Sequence, residues 1–504
     1  MQNNVLEYLW NAAEKYPDKV VYADENTELT FLQLKESVCS IGSELIENGY
    51  RNQPIAIYMN KTCACLAACL GVAASGNFYC PLDAEMPRDR IDVIFGVLEP
   101  KCIIVDDEIY EREESLTKNF RVIKYSEVIK HLPNAEMVYM AGLKIIDTDP
   151  LYILFTSGST GVPKGVLISH RSVIDYIDWV AETFKFTCDD VLGNQAPFYF
   201  DNSVFDIYSA LKNGCRMEII PKSMFKFPIK LLRYLDEKTI TAVFWVPSVL
   251  CAAVNLRAIT QYQPQYLNKV VFAGEVMPNK QLNVWRKYLP DALYANLYGP
   301  TEITVDCTYY IVDRIFDDDE SLPIGIPCRN SDILVLNEKD EPVYNDEIGE
   351  LCVRGSSLAL GYYNNLQKTN EVFVQNPLND KWQEKIYRTG DLVKYNTHNE
   401  LEFCGRKDFQ IKHMGHRIEL GEIETAMGKI EEIDMCACVY NELKQQIVMF
   451  YSGKELAKEY ILNFLITKLP DYMCPNKFIF MDKLPLNGNG KIDRKILKQE
   501  YINR

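Results

Sequence analysis

Residues 156–165 read Thr156-Ser157-Gly158-Ser159-Thr160-Gly161-Val162-Pro163-Lys164-Gly165 and directly follow the apolar run Leu151-Tyr152-Ile153-Leu154-Phe155. A strand feeding a loop of glycines and hydroxyls, closed by a lysine, is suited to anionic oxygens. Glycines let backbone N–H groups come close, hydroxyls donate further bonds, and Lys164 adds a point charge. A flexible surface turn shares part of this composition, but the ordered run points to phosphate binding. It is not a Walker loop, because the G-x-x-x-x-G-K-[ST] spacing is not matched. A second unusual position is Asp201, in Phe198-Tyr199-Phe200-Asp201-Asn202-Ser203-Val204-Phe205-Asp206. An acid directly after a run of aromatics is costly to bury unless a cation pairs with it. The other reading is a strand-end aspartate turned to solvent. Lys491, in the turn Asn489-Gly490-Lys491, would by itself be a solvated charge.

The elements that must position these residues alternate, for most of the chain, between apolar strand-like runs and amphipathic helical stretches. Pro54-Ile55-Ala56-Ile57-Tyr58 reads as a strand, Val270-Val271-Phe272-Ala273 as another, and residues 281–287 as a helix following it. This pattern predicts an α/β fold with largely parallel sheets. Beyond about residue 320 the texture changes to shorter strands with turn signals, such as Asp332–Leu336 and Gly349–Gly355, which predicts a β-rich subdomain. Near Gly405-Arg406-Lys407-Asp408 charged residues and glycine interrupt the pattern, and a boundary is expected there.

Composition excludes more than it identifies. The 504 residues carry 54 Lys+Arg against 70 Asp+Glu, a net charge of −16, which argues against a nucleic-acid or anionic-membrane binder. The 16 cysteines are scattered without a C-x-x-C pair, so most are expected to be buried small hydrophobes. The start, Met1-Gln2-Asn3-Asn4-Val5-Leu6-Glu7, lacks the basic residues and apolar run of a signal peptide. The small-residue stretch 63–74 falls short of the roughly 18 residues that span a bilayer and predicts a tightly packed buried helix. A cytoplasmic chain with no membrane and no nucleic-acid partner is expected.

Five segments in order resemble the signatures of the adenylate-forming superfamily, which includes acyl-CoA ligases, luciferases and the amino-acid adenylation domains of nonribosomal peptide synthetases. The loop Thr156–Gly165 is similar to the superfamily's triphosphate-binding signature. Asn296-Leu297-Tyr298-Gly299-Pro300-Thr301-Glu302 resembles the adenine and metal motif, and Tyr387-Arg388-Thr389-Gly390-Asp391 the ribose motif. Gly405–Lys412, continuing to Leu420, resembles the hinge region, and Asn489-Gly490-Lys491-Ile492-Asp493-Arg494 the catalytic-lysine motif. The resemblance covers essentially the whole chain and implies an acyl-adenylate synthetase fold. That fold has a large N-terminal domain (1–407) of α/β sheets with a β-rich subdomain, and a small mobile α+β C-terminal domain (408–504) hinged at Asp408. It implies ATP and Mg²⁺ as cofactors. Thr156, Ser157, Gly158, Ser159, Thr160, Gly161 and Lys164 would hold phosphates, while Asn296, Leu297, Tyr298, Gly299, Pro300 and Thr301 would surround adenine. Tyr298 offers an aromatic face and Glu302 a hard oxygen for the metal. Asp391 would accept from the ribose hydroxyls, and Arg406 would contact nucleotide. Lys491 would bridge carboxylate and phosphate oxygens where negative charge crowds in the transition state.

The same resemblance makes Asp201 the partner of a substrate α-ammonium, which favours an amino acid over a plain organic acid. Asn202, Phe205, Trp245, Val271, Ala273, Leu297, Val305 and Asp306 would line the side-chain pocket, with Lys491 at the carboxylate. Trp245 and Phe205 suggest a shallow cavity, whereas an inward Asp306 would favour a polar or cationic substituent. No carrier domain follows Lys491 in the sequence, so transfer to the phosphopantetheine thiol of a separate carrier protein is expected. Free-standing peptide-synthetase adenylation enzymes and D-alanine–D-alanyl carrier protein ligases both fit. Asn194-Gln195-Ala196-Pro197-Phe198 and Gly274-Glu275-Val276 resemble the second group, but Ala273 stands where those ligases usually have cysteine. An acyl-CoA ligase on the same fold and a nucleotide-binding scaffold without catalysis are the rival readings.

Overall fold

Short apolar strands joined through helices build two large, mainly parallel sheets, as the alternation predicts. In this computed structural model, residues 2–113, 116–158, 161–442, 444–486 and 492–502 are described. The chain divides into two compact units. One holds residues 1–84, 99–154 and 166–405, and the other residues 85–98, 155–165 and 406–504.

In the first unit, a nine-stranded sheet has six central parallel strands. In spatial order these are Leu293–Tyr298, Lys269–Phe272, Ala242–Trp245, Val191–Asn194, Arg216–Ile219 and Val20–Ala23. Antiparallel strands close both edges. A seven-stranded sheet places Pro150–Thr156, which leads into the glycine-rich loop, beside Phe78–Leu82, which pairs on its other side with Pro54–Tyr58. Ser331–Leu336, Gly349–Gly355, Lys385–Tyr395 and Phe373–Gln375 pair antiparallel in a five-stranded sheet completed by Leu401–Arg406, the predicted β-rich subdomain.

The parallel strands are buried on both faces, and alternation along them divides the core. In Ala242–Trp245, Phe244 joins one cluster with Phe205, Val271 and Leu297, while Val243 and Trp245 join another with Val270 and Phe272. Helix Cys63–Ala74 is buried at every residue except Ala64, and its small side chains pack against helix Phe31–Glu47. That second helix starts with a capping box. The Thr30 hydroxyl accepts from the Gln33 N–H at 3.2 Å and the Gln33 amide oxygen accepts from the Thr30 N–H at 3.0 Å. All sixteen cysteines are free thiols, eleven of them buried. Among the described residues, no helix is long and apolar enough to cross a membrane.

The second unit has its own core. The hairpin Gln410–His413/His416–Glu419 leads into helix Leu420–Met427. Strands Ile433–Asn441 and Gln446–Gly453 then pair antiparallel, with Lys477–Phe480 added in parallel. Ile423, Met427, Ile447, Met449 and Leu465 fill the space between these elements.

Candidate active site

Strand Leu293–Tyr298 carries Asn296, Leu297 and Tyr298 into the first unit's interior and ends at Gly299-Pro300. A Cβ on Gly299 would sit 2.3 Å from the Val305 carbonyl oxygen and 2.6 Å from the Asp306 Cα, so only glycine lets the chain pass. A single 3₁₀ turn, Thr301–Ile303, follows. Thr304 and Val305 are then both left-handed, with φ 62° and 72°, a costly conformation for β-branched residues. This strained corner turns Glu302 and Asp306 inward, 0% and 2% exposed.

The Tyr298 hydroxyl donates to the Asp391 carboxylate, so the adenine and ribose motifs meet. Asp391 sits in strand Lys385–Tyr395, its own N–H bound to the Thr389 hydroxyl at 2.9 Å. Asn296 donates through its side-chain amide to the Pro323 carbonyl at 2.8 Å. The Tyr362 hydroxyl donates to Glu302 Oε1 at 2.7 Å and orients that carboxylate. No group of three or more His, Cys, Asp or Glu able to hold a metal occurs among the described residues. One oriented, buried carboxylate fits Mg²⁺, which keeps most of its shell as phosphate and water oxygens.

Of the residues expected to hold phosphates, Thr156, Ser157, Gly158, Gly161 and Lys164 fall in the second unit, whereas Ser159 and Thr160 lie outside the described residues. A Cβ on Gly158 would lie 1.9 Å from the Val162 carbonyl oxygen, so the loop folds tightly on itself. Its donors point at oxygens. The Gly158 N–H donates to Glu422 Oε2 at 3.3 Å, the Ser157 hydroxyl donates to the Arg417 carbonyl at 2.8 Å, and Lys164 Nζ lies 3.7 Å from Glu419 Oε1. Burial pushes the Glu422 carboxyl up, against the pull of its partner Arg90 and of the Gly158 N–H. Arg406 makes a two-pronged pair with Asp408 at 2.7 and 2.9 Å. Burial raises the Asp408 carboxyl, but the bonds from Arg406 outweigh it and leave it below its ordinary value. Lys491 lies outside the described residues.

Asp201 caps helix Asn202–Asn213, its carboxylate accepting from the Asn202 N–H at 2.9 Å. Phe205, Val271, Ala273, Leu297 and Val305 gather in one cluster, with the Phe205 and Phe244 rings 4.5 Å apart. Asn202 is half-buried in the helix's first turn. Trp245 is not brought to this group. It belongs to the opposite cluster, where its indole N–H donates to the Gly193 carbonyl at 2.8 Å. Asp306 faces inward and accepts from the Tyr176 hydroxyl at 2.7 Å. Burial and then the Asp201 charge hold the Tyr152 hydroxyl well above its ordinary pKa; burial, Asp306 and also Asp201 do the same for Tyr176. Tyr176 is thus bonded to Asp306, and the Asp201 charge acts on both Tyr152 and Tyr176. Tyr176 and Tyr362 carried no signal in the sequence, since an aromatic on an apolar helix face or beside a short strand reads as core.

The AMP-binding enzyme family matches residues 9–363, and its C-terminal domain matches residues 422–491. The chain is 32% identical over 492 residues to zwittermicin A synthase ZmaJ of Bacillus cereus, covering 95% of this chain and 92% of that one. It is also 32% identical over 521 residues to the D-alanine–D-alanyl carrier protein ligase of Listeria monocytogenes, covering 99% of each. Of tyrocidine synthase 1 from Brevibacillus parabrevis, likewise 32% identical, it spans only 44%. The solved adenylation domain AlmE of Vibrio cholerae, in complex with glycyl-adenosine-5'-phosphate, shares the fold. It has a TM-score of 0.87 at 23% identity, over 100% of this chain and 98% of that one. With most of its length matched and the adenine and ribose motifs joined through Tyr298 and Asp391, this chain belongs to the AMP-binding enzyme family.

Proposed function

We propose that this protein activates an amino acid with ATP and Mg²⁺, releases pyrophosphate, and passes the aminoacyl group to the phosphopantetheine thiol of a carrier protein. What supports the amino acid is the placement of Asp201. Its carboxylate caps the helix that carries Phe205, and its charge acts on the Tyr152 and Tyr176 hydroxyls. A cationic ammonium is the substrate group that such a carboxylate would hold.

A substrate carboxylate oxygen then attacks the α-phosphorus of ATP, and the bond to the β-phosphate oxygen breaks. Tyr298 and Asp391 hold adenosine, the loop from Thr156 to Lys164 holds the leaving phosphates, and Lys491 offsets charge at the reacting centre. Mg²⁺ at Glu302 would supply further charge neutralisation on the phosphates. In the second step the carrier thiolate attacks the acyl carbon, and the bond to AMP breaks. Sequence similarity to the Listeria ligase makes D-alanine one substrate to try.

Amino-acid-dependent ATP–pyrophosphate exchange across the proteinogenic amino acids and D-alanine tests this reading. One substrate should support exchange, Asp201→Ala should abolish its use while ATP still binds, and Lys491→Ala should lower exchange by about a hundredfold or more. Activity with fatty or aromatic acids alone would overturn the reading.

A further inference from the structure

The segment Asn194-Gln195-Ala196-Pro197-Phe198 ends three residues before Asp201, and it is held by two charged side chains to which the adenylation chemistry gives no part. Lys61 lies in the connection from strand Pro54–Tyr58 to helix Cys63–Ala74. Its ammonium donates to the Gln195 carbonyl at 3.0 Å and sits 5.6 Å from the centre of the Phe198 ring. Asp206, 1% exposed, lies on the helix that Asp201 caps, and its Oδ2 accepts from the Asn194 side-chain amide at 2.8 Å. A cation and an anion therefore grip consecutive residues of one segment.

The grip continues to Asp201. The Phe200 N–H donates to the Pro197 carbonyl at 3.0 Å, and the Ser203 hydroxyl donates to the Phe200 carbonyl at 2.6 Å. A displaced Gln195 would drag Pro197 and Phe200, and with them the residue next in line. The surroundings are costly for charge. Burial pulls the Lys61 ammonium down to about 7 against the attraction of Asp206, and burial pushes Asp206 up to about 7 against Asn194 and Lys61. Asp206 Oδ1, Asn194 Oδ1 and Gln195 Oε1 are all buried without a hydrogen-bond partner. A cluster that only filled space would be better served by apolar side chains of the same volume. The bonds from Lys61 to the Gln195 carbonyl and from the Asn194 amide to Asp206 are directional, and so give the segment one preferred placement instead.

We propose that Lys61 and Asp206 are positioning residues for amino-acid recognition, acting through Gln195 and Asn194 to set where the Asp201 carboxylate stands. This rests on the reading that Asp201 receives the substrate ammonium. Their reach is selective, because their hydrogen bonds run to Gln195 and Asn194 and not to Tyr298, Asp391 or Glu302.

Pyrophosphate exchange on the full chain, with KM measured separately for the amino acid and for ATP, tests the proposal in Lys61→Met, Lys61→Arg and Asp206→Asn. Lys61→Met and Asp206→Asn should each raise the amino-acid KM about tenfold or more and change the ATP KM by less than about twofold. Lys61→Arg, which keeps the charge, should restore the amino-acid KM to within about threefold of the parent. If Lys61→Met does not fold, Asp206→Asn, which keeps the shape, carries the test. Unchanged amino-acid KM in a folded variant, or equal losses for both substrates, would overturn the proposal. A parent chain that exchanges with amino acids, and loses this in Asp201→Ala but not in the Lys61 and Asp206 variants, overturns this proposal alone. A parent chain that exchanges with no amino acid overturns both.

Discussion

The hydroxyl of Tyr298 donates to the carboxylate of Asp391, 93 residues further along the chain, and both side chains are buried. The bond ties the end of a parallel strand in one sheet to a strand of the antiparallel sheet, Lys385–Tyr395. An aromatic face and a hydroxyl-accepting carboxylate thereby share one placement. Bonds to a charged partner contribute about 1.5–3 kcal/mol each. Tyr298→Phe should therefore lower the unfolding free energy by about that amount and raise the ATP KM roughly threefold to tenfold, with kcat little changed. Denaturant titration and exchange kinetics check both.

Glu302 reaches its position through a strained corner and is oriented by Tyr362. Glu302→Gln keeps the shape but removes the charge, and should cut kcat by roughly thirtyfold or more while raising the Mg²⁺ concentration needed for half-maximal rate. Tyr362→Phe removes only the orienting bond, worth about 1.5–3 kcal/mol as a bond to a charged group, and should shift the Mg²⁺ requirement about tenfold or more in the same direction. A Mg²⁺ titration of the exchange rate in the two variants separates them.

Gly158 approaches the Val162 carbonyl too closely for any side chain. Gly158→Ala must open the loop and move the N–H that faces Glu422. The ATP KM should rise about tenfold or more, with far-UV circular dichroism unchanged. A variant with parental ATP KM would refute a phosphate role for that N–H.

His170 is buried, and its Nδ1 accepts from the Val5 N–H at 3.3 Å, which requires the neutral ring. Burial lowers its pKa from the ordinary 6.5 to about 3. Between those values the unfolded chain binds a proton that the folded chain does not, so stability is held above pH 6.5 and lost as pH falls toward 3. The slope from this residue is about 1.4 kcal/mol per pH unit at most. His170→Asn should be less stable at pH 7 but show a shallower decline down to pH 4 in denaturant titrations; an unaltered slope would assign the acid sensitivity elsewhere.

The layered fold was legible because apolar runs and small residues dictate burial locally. The strands Pro54–Tyr58 and Gly349–Gly355 end on the residues the runs predict, and the small-residue stretch is helix Cys63–Ala74. The meeting of Tyr298 with Asp391 followed only from resemblance, since nothing local in either segment calls for the other. Trp245 marks where that route goes too far. It follows Phe244 in a strand, so the two-residue alternation sends it to the opposite face, away from Phe205 and Val271. Tyr176, Tyr362 and Lys61 were silent for the reverse reason: their partners are set by how distant segments pack, and their neighbours in sequence are ordinary.

The burial of the cysteines has a bearing on the reactive anhydride that an adenylating enzyme would make. A sulfur attacks as thiolate, and burial drives the thiols of Cys63, Cys69, Cys80, Cys328 and Cys438 upward. The same burial carries Cys102 and Cys215 to about 12, and raises even the exposed Cys404. These eight sulfurs stay protonated at neutral pH, so in an enzyme that made such an anhydride they would compete poorly with an external thiol for it.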